Sequence, residues 1–97
     1  MMNPQLGREQ AGRRPVICLS PKNYNSKTGL AVFCPITSKV KGYPFEVKVY
    51  SSGLSGVVLS DQVKSLDWRS RLFQSIGFAS DAELEQVSEL TAKLLQG

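Results

Sequence analysis

The chain has 97 residues, of which 41% are apolar and 21% are charged, a composition typical of an ordinary globular protein. That length suits one domain over residues 1–97 with a single modest core. No apolar run approaches the ~18 residues that a membrane span needs. The start Met-Met-Asn-Pro-Gln lacks the basic and apolar regions of a secretion signal. We therefore expect a cytoplasmic protein with no membrane segment.

The absence of histidine restricts the chemistry that the chain can perform. No Ser/His or Cys/His pair exists to activate a nucleophile, so catalysis would use carboxylate, guanidinium and hydroxyl groups. Charge is unevenly distributed, because residues 1–79 hold eleven Lys and Arg against four Asp and Glu, or +7, whereas residues 80–97 carry −3. The basic part suits a polyanion. Charge alone is equally compatible with an ordinary solvated surface.

Residues 8–15 predict a polar turn that holds one carboxylate and three guanidinium groups. Phosphate is the ligand group that suits such a set. An apolar strand is predicted next, over residues 16–19, with its start fixed by Pro15. The turn is therefore a candidate anion site.

The middle of the chain alternates between turn-forming and apolar segments. Residues 20–29 are rich in turn formers and predict an exposed loop. A strand over residues 30–34 is closed by Pro35, and residues 36–44 follow as a basic connection. Residues 45–49 alternate apolar and charged side chains, which predicts a strand with one face in water.

The next segments predict more of the sheet. After a glycine- and serine-rich turn, residues 57–59 and 62–68 predict one long strand, kinked near Ser60 and Asp61. Residues 69–78 fit either a final strand or an irregular crossing.

A C-terminal amphipathic helix ends the chain. Ser80 and Glu83 have the spacing of a capping box. Apolar residues then recur at helical spacing: Leu84, Val87, Leu90, Leu94 and Leu95. The predicted class is α+β, a small, mostly antiparallel β-barrel or curled sheet with a helix against it.

The two cysteines, Cys18 and Cys34, both sit in apolar segments. They are too few and too far apart for a disulfide framework or a zinc site, so we expect two reduced core thiols. No metal site and no cofactor is predicted.

Several motifs in register resemble the MazF/PemK toxin endoribonucleases, or mRNA interferases, over nearly the whole chain. They are Gly7-x-Glu9-Gln10-Ala11-Gly12-x-Arg14-Pro15, Leu19-Ser20-Pro21, Tyr24-Asn25, Thr28-Gly29, Pro35-Ile36-Thr37, the 41–47 run Lys-Gly-Tyr-Pro-Phe-Glu-Val and the 60–69 run Ser-Asp-Gln-Val-Lys-Ser-Leu-Asp-Trp-Arg. The resemblance implies an SH3-like barrel, usually homodimeric, that cuts single-stranded RNA without a metal. It also implies neutralisation by a cognate antitoxin, whose acidic segment would compete with RNA for the basic region.

One departure from the family concerns the first strand. Members normally begin with a Gly-Asp-apolar-x-apolar strand before a Pro-x-x-Gly-x-Glu-Gln loop, whereas this chain starts inside that loop, at residues 3–7. Either the true start lies upstream, or the chain is a shortened variant whose barrel lacks one strand. A missing strand would leave an unpaired row of backbone groups along its neighbours.

The resemblance also implies a catalytic set of Glu9, Arg14 and Thr37. The ribose 2′-hydroxyl would attack the phosphate, leaving a cyclic phosphate and a 5′-hydroxyl, with Glu9 as candidate base and Arg14 stabilising the extra charge. The Thr37 hydroxyl would bond a phosphate oxygen. Each residue also has a structural interpretation: Glu9 and Arg14 as a positioning ion pair or a surface pair, and Thr37 as an ordinary strand end.

Base recognition is expected in loops, where single strands are recognised by stacking and by contacts to base edges. The candidate RNA-binding residues are Arg13, Ser38, Tyr24, Asn25, Lys39, Lys41, Tyr43, Asp61 and Gln62. Asp61 and Gln62 could equally pin the strand kink. Trp68 is more typical of core or dimer packing than of a stacking platform.

The sequence leaves two other functions open. One is a non-enzymatic toxin on the same fold, similar to the CcdB gyrase poisons, although those end in Trp-Gly-Ile and this chain ends in Leu-Gln-Gly. The other is a truncated, inactive family member that still binds antitoxin or RNA.

Overall fold

A computed structural model describes residues 5–9, 14–70 and 73–96, with Glu9 described by its backbone alone. The elements in chain order are β1 (Gln5–Glu9), β2 (Pro15–Cys18), α1 (Lys22–Thr28), β3 (Leu30–Thr37), β4 (Glu46–Val49), a short 3₁₀ turn (Ser51–Gly53), β5 (Gly56–Leu59), β6 (Lys64–Asp67), β7 (Phe73–Phe78) and α2 (Asp81–Gln96). The predicted α+β class is confirmed.

All strands join one antiparallel sheet in the order β4-β5-β3-β2-β1-β7, and β6 also pairs with β3. In the described part of the chain no pairing links β4 to β7. The sheet is therefore a barrel-like, open form of the architecture that was predicted. None of the described helices is long and apolar enough to cross a membrane.

Strand β1 occupies positions that were assigned to a turn. Leu6 is fully buried, opposite Ile17 of β2 and Gly77 of β7. Burial of Leu6 and pairing with the edges of β2 and β7 stabilise strand β1, although the composition of the segment favours a turn. The expectation of an unpaired row of backbone groups along β2 and β7 is therefore corrected, because β1 pairs with both.

The prediction of a loop at residues 20–29 is wrong, because helix α1 occupies most of this segment. Its end has a sequence signal: Gly29 adopts a left-handed conformation with φ of 74° and donates its N–H to the Asn25 carbonyl. Helix α1 is also held from outside, because the Trp68 indole N–H donates to the same carbonyl at 3.0 Å. The helical cap and this long-range contact together override the turn-forming composition of the segment.

Strand β3 continues through Pro35 to Thr37, so the predicted stop at Pro35 is also wrong. Strands β5 and β6 pair along one edge of β3, and that edge has no registered partner at Pro35, because β6 pairing ends at Phe33 and β5 pairing begins at Ile36. The missing proline N–H therefore costs no ladder bond there. The predicted kinked strand is two strands separated by a turn, and the 69–78 segment forms strand β7.

Two apolar clusters lie on the two faces of the sheet. The main core contains Leu6, Ile17, Cys34, Ile36, Val47, Val49, Val58, Ala79 and Val87. The second cluster contains Val16, Cys18, Ala31 and Phe33, with Leu66, Trp68 and Phe73 packed against it. Both cysteines are free and buried, as predicted. Burial, and to a lesser degree the Asp61 carboxylate, raises the pKa of the Cys34 thiol to about 11.

Helix α2 begins with the predicted capping box. The Glu83 N–H donates to the Ser80 hydroxyl at 3.1 Å, and the Ser80 N–H donates to a Glu83 carboxylate oxygen at 2.7 Å. Val87 carries the helix into the main core. Leu95, predicted as part of the apolar face, is instead 82% exposed, so that face ends earlier than the sequence pattern suggests.

Candidate functional site

Positions 9, 14 and 37 lie at one end of the sheet, beside the last registered pairs of strands β1, β2 and β3. Pairing of β1 with β2 ends with Arg8 opposite Pro15, so Glu9 and Arg14 directly follow that pair along the chain. Pairing of β2 with β3 ends with Val16 opposite Pro35, and Thr37 lies two residues beyond Pro35 at the end of β3. These three positions, called the row below, are distant in sequence but share one end of the sheet.

Thr37 lies on the face of the sheet that bears the second cluster. Side chains alternate along a strand, so position 37 shares a face with Phe33 of β3. Arg14 is exposed and Thr37 is half-buried. The Thr37 hydroxyl thus lies beside the second cluster, and Arg14 is exposed just before the neighbouring strand β2.

The hydroxyl of Thr37 is oriented by the chain that follows it. Its oxygen accepts the Lys39 N–H at 3.1 Å. A hydroxyl that accepts one bond keeps its own hydrogen for donation. Thr37 can therefore donate to an incoming anion without changing its existing contact.

Gly56, at the start of β5, allows the close approach that fixes Thr37. A Cβ added at Gly56 would lie 2.5 Å from the Thr37 carbonyl oxygen. Thr37 pairs with Val57, the next residue of β5. No larger residue fits between β5 and the end of β3 without moving Thr37.

The basic loop, residues 38–45, projects four of the predicted RNA-binding side chains into solvent: Ser38, Lys39, Lys41 and Tyr43. The Lys41 ammonium lies 5.9 Å from the Tyr43 ring centroid. Glu46, the first residue of β4, accepts the Lys41 N–H and the Gly42 N–H, both at 3.0 Å, on its two carboxylate oxygens. The loop is therefore folded against β4 with a cation and an aromatic ring side by side.

The two candidate RNA-binding residues on α1, Tyr24 and Asn25, differ in how accessible their side chains are. Tyr24 is 39% exposed and available to a ligand. The Asn25 amide bonds inside the protein, accepting the Ser20 hydroxyl at 2.5 Å and donating to the Ser20 carbonyl and to the Cys18 sulfur. Asn25 therefore holds α1 against the end of β2, and its free hydrogen-bonding capacity is small.

The remaining candidates lie apart from the row or outside the described residues. Asp61 and Gln62 are exposed in the turn between β5 and β6, where the Gln62 N–H donates to the Leu59 carbonyl. Trp68 packs on the second cluster with the Arg69 guanidinium 5.1 Å above its ring. Arg13 lies outside the described residues.

Sequence reasoning missed Glu46 and Gly56, which shape the site without belonging to the proposed catalytic set. Glu46 alternates with Val47 in a strand pattern, which marks it only as a solvent-facing residue. Gly56 stands in a glycine- and serine-rich segment that reads as a turn. Within the described residues no group of three His, Cys, Asp or Glu side chains is arranged to hold a metal ion.

Comparison with known proteins identifies the class to which this fold and site belong. Residues 1–95 match the family described as PemK-like, MazF-like toxin of type II toxin-antitoxin system. The chain belongs to that family of toxins.

Individual relatives agree with this assignment. The chain is 46% identical over 85 residues to the endoribonuclease toxin MazF of Escherichia coli K12, covering 88% of this chain and 77% of the relative. It is 32% identical over 90 residues to the endoribonuclease toxin ChpB of the same strain, with coverages of 87% and 77%. A MazE–MazF crystal structure from Deinococcus radiodurans matches with a TM-score of 0.89 and 45% identity, covering 96% of this chain and 93% of that one.

Proposed function

We propose that this chain is an endoribonuclease toxin of a type II toxin–antitoxin pair. It cleaves single-stranded RNA in a catalytic site formed by Glu9, Arg14 and Thr37. The observation that carries the proposed site is that the last registered pairs of β1, β2 and β3 lie beside these three positions, at one end of the sheet. Family membership and 46% identity to a toxin named as an endoribonuclease support the activity.

The proposed chemistry uses the RNA's own 2′-hydroxyl as nucleophile. Glu9 removes the proton of that hydroxyl, and the oxygen forms a bond to the adjacent phosphorus. The Arg14 guanidinium offers two donors to the phosphate oxygens as negative charge accumulates, and Thr37 adds a third. The bond to the 5′-oxygen then breaks and that oxygen takes up a proton from water, leaving a 2′,3′-cyclic phosphate and a 5′-hydroxyl. Charge stabilisation by donors held on strand ends is the main contribution of the protein.

RNA binding is proposed to extend from the row onto the basic loop and α1. The loop offers Lys39, Lys41 and Tyr43, which suit phosphates and an unstacked base. Tyr24 offers a second ring, while Asn25 acts on the position of α1. Ser38, Arg13, Asp61 and Gln62 remain proposed contacts.

The partners and compartment are also part of the proposal. MazE–MazF complexes among the structural relatives support an antitoxin partner for this chain. An acidic antitoxin segment over the basic part of residues 1–79 would compete with RNA, and its affinity would fall as salt rises. We propose a homodimer acting in the cytoplasm, where transcripts are accessible.

Cleavage of a long single-stranded transcript in excess chelator tests the proposal. The wild type should cut, with 2′,3′-cyclic phosphate ends, and Arg14→Ala should lower the single-turnover rate by about 10²- to 10³-fold, the usual loss of a transition-state donor. Lys93→Ala on α2 is the matched control, since it also removes one exposed positive charge. Equal cutting by Arg14→Ala and the control would show that the assigned site is wrong. A folded wild type that does not cut would favour the gyrase-poison or inactive-binder alternatives.

A further inference from the structure

Glu46 makes an unusual set of contacts for a residue at the start of a surface strand. One oxygen of its carboxylate accepts the Lys41 N–H and the other accepts the Gly42 N–H. Its own N–H donates to the Tyr43 carbonyl at 3.1 Å. A single residue therefore binds three consecutive residues of the basic loop, using both its side chain and its backbone.

The position of Glu46 is itself fixed by the body of the protein. It pairs with Leu59 in the β4–β5 ladder. The preceding residue, Phe45, accepts both the N–H and the hydroxyl of Ser60, which is fully buried. The Ser60 carbonyl in turn accepts the Thr91 hydroxyl of α2 at 2.9 Å. The carboxylate therefore holds the loop from a rigid base.

The residues that Glu46 holds are the ones that the basic loop offers to solvent. Tyr43 is 57% exposed, and the Lys41 ammonium lies beside its ring. Gly42 has φ of 79°, a conformation that most residues avoid and that the carboxylate bond to its N–H stabilises. Charge-assisted bonds of this kind are stronger than those between neutral groups. Without them the loop would sample many conformations and would lose entropy on binding.

We propose that Glu46 is a positioning residue for RNA, one that lowers the KM for RNA by pre-organising Lys41 and Tyr43 without touching the substrate. The inference rests on the proposed ribonuclease function and adds to it the residue that shapes its binding surface. Pre-organisation raises affinity by reducing the ordering cost of binding. It predicts an effect on KM with little effect on kcat, because Glu9 and Thr37 lie on other strands and Arg14 directly precedes another.

The proposal predicts a result opposite to that of simple electrostatics. Removing a negative charge from a basic region should strengthen attraction to RNA phosphates. If Glu46 acts by holding the loop, Glu46→Gln should instead weaken binding. A glutamine keeps one acceptor but presents its amide N–H₂ to the second backbone N–H, so one of the two bonds is lost. The sign of the change separates the two roles.

The experiment measures initial rates of cleavage of a long single-stranded transcript by wild type, Glu46→Gln and Glu89→Gln. Glu89 is exposed on α2, so its variant makes the same charge change away from the loop. We expect Glu46→Gln to raise KM about tenfold, a size consistent with losing a charge-assisted bond and ordering a freed loop, with kcat within about twofold. Glu89→Gln should leave KM unchanged or slightly lower. An unchanged or lower KM for Glu46→Gln, or a loss confined to kcat, would overturn the proposal.

A second variant keeps the test decisive if Glu46→Gln folds poorly. Lys41→Ala/Tyr43→Ala removes the side chains through which Glu46 is proposed to act and leaves the carboxylate contacts in place. This variant should show the same raised KM and unchanged kcat, and a wild-type KM would overturn the proposal. Failure of the wild type to cut any RNA would instead overturn the proposed function, so the two failures are distinguishable.

Discussion

Two glutamates perform the same chemical task in two different regions, and the contrast separates what holds this fold from what shapes its surface. Glu83, at the start of α2, accepts the Tyr50 N–H, the Ser51 hydroxyl and the Ser80 N–H while only 8% exposed. Glu46 also binds two backbone N–H groups, but on the exposed basic loop. The first joins distant segments of the chain, whereas the second joins residues four and five positions apart. A buried carboxylate that joins distant segments therefore acts on stability, and a half-buried one beside an exposed loop acts on local shape.

Removal of the buried carboxylate is expected to have the largest effect. Glu83→Ala should lower the free energy of unfolding by about 1–3 kcal/mol, because it leaves two backbone N–H groups and a hydroxyl without partners in a partly buried junction. Urea denaturation measures the change. Glu85→Ala, two residues further along α2 and exposed, should change stability by no more than about 0.5 kcal/mol. Equal losses in the two variants would remove the distinction between buried and exposed carboxylates.

Acid should weaken the same junction. Burial raises the pKa of Glu83, but the bonds from the Ser51 hydroxyl and the Ser80 and Tyr50 amides outweigh it and lower the pKa below its ordinary 4.5. Because the folded-state pKa is lowered, the stabilisation is complete above 4.5 and is lost as pH falls through the lowered value. The free energy of unfolding, measured by urea denaturation from neutral pH to about pH 3, should therefore fall more steeply for wild type than for Glu83→Gln. The same dependence on pH in both proteins would contradict this account.

The close contact at Gly56 should matter for activity more than for stability. Gly56→Ala forces a Cβ against the Thr37 carbonyl, so the end of β3 must shift. A displacement of about 1 Å at a reacting group can cost about 10²-fold, and we expect a loss of at least tenfold in kcat with a folded protein. Single-turnover cleavage and circular dichroism on the same samples measure both. Wild-type kcat in a folded Gly56→Ala would mean that Gly56 does not position Thr37.

The smallest expected effect is that of Glu46 on stability. Because its contacts are local and its loop is exposed, Glu46→Gln should lower the free energy of unfolding by less than about 1 kcal/mol. Urea denaturation beside Glu83→Gln sharpens the comparison, since the buried variant should lose several times more. A loss at Glu46 that equals the loss at Glu83 would place both residues in the stability network.

Local patterns predicted much of this fold from the sequence. The alternating residues of β4 and the capping box of Ser80 and Glu83 are set by neighbours in sequence, and both are found where expected. Helix α1 was missed because its support comes from Trp68, more than forty residues away. The continuation of β3 through Pro35 was missed because it depends on which neighbouring strand lies beside that residue.

In the candidate site, too, local features could be predicted from the sequence and features that depend on distant contacts could not. Residue types and motif order suggested Glu9, Arg14 and Thr37, but which end of the sheet they share depends on two strand registers that no local pattern fixes. The proposed role of Glu46 required the path of the basic loop, and the role of Gly56 required the distance between two backbones. The sequence therefore suggested candidate residues, whereas the contacts around them could be found only in the structure.

Cleavage by Arg14→Ala, Thr37→Ala and the double variant, in single-turnover assays on one transcript, tests most directly whether these residues act on one phosphodiester. Groups that act as a unit lose activity non-additively. The account predicts that each single variant is slower by at least about tenfold and that the double variant is close to the slower single. A wild-type rate for either single variant, or a double variant that loses the full product of both effects, would contradict it.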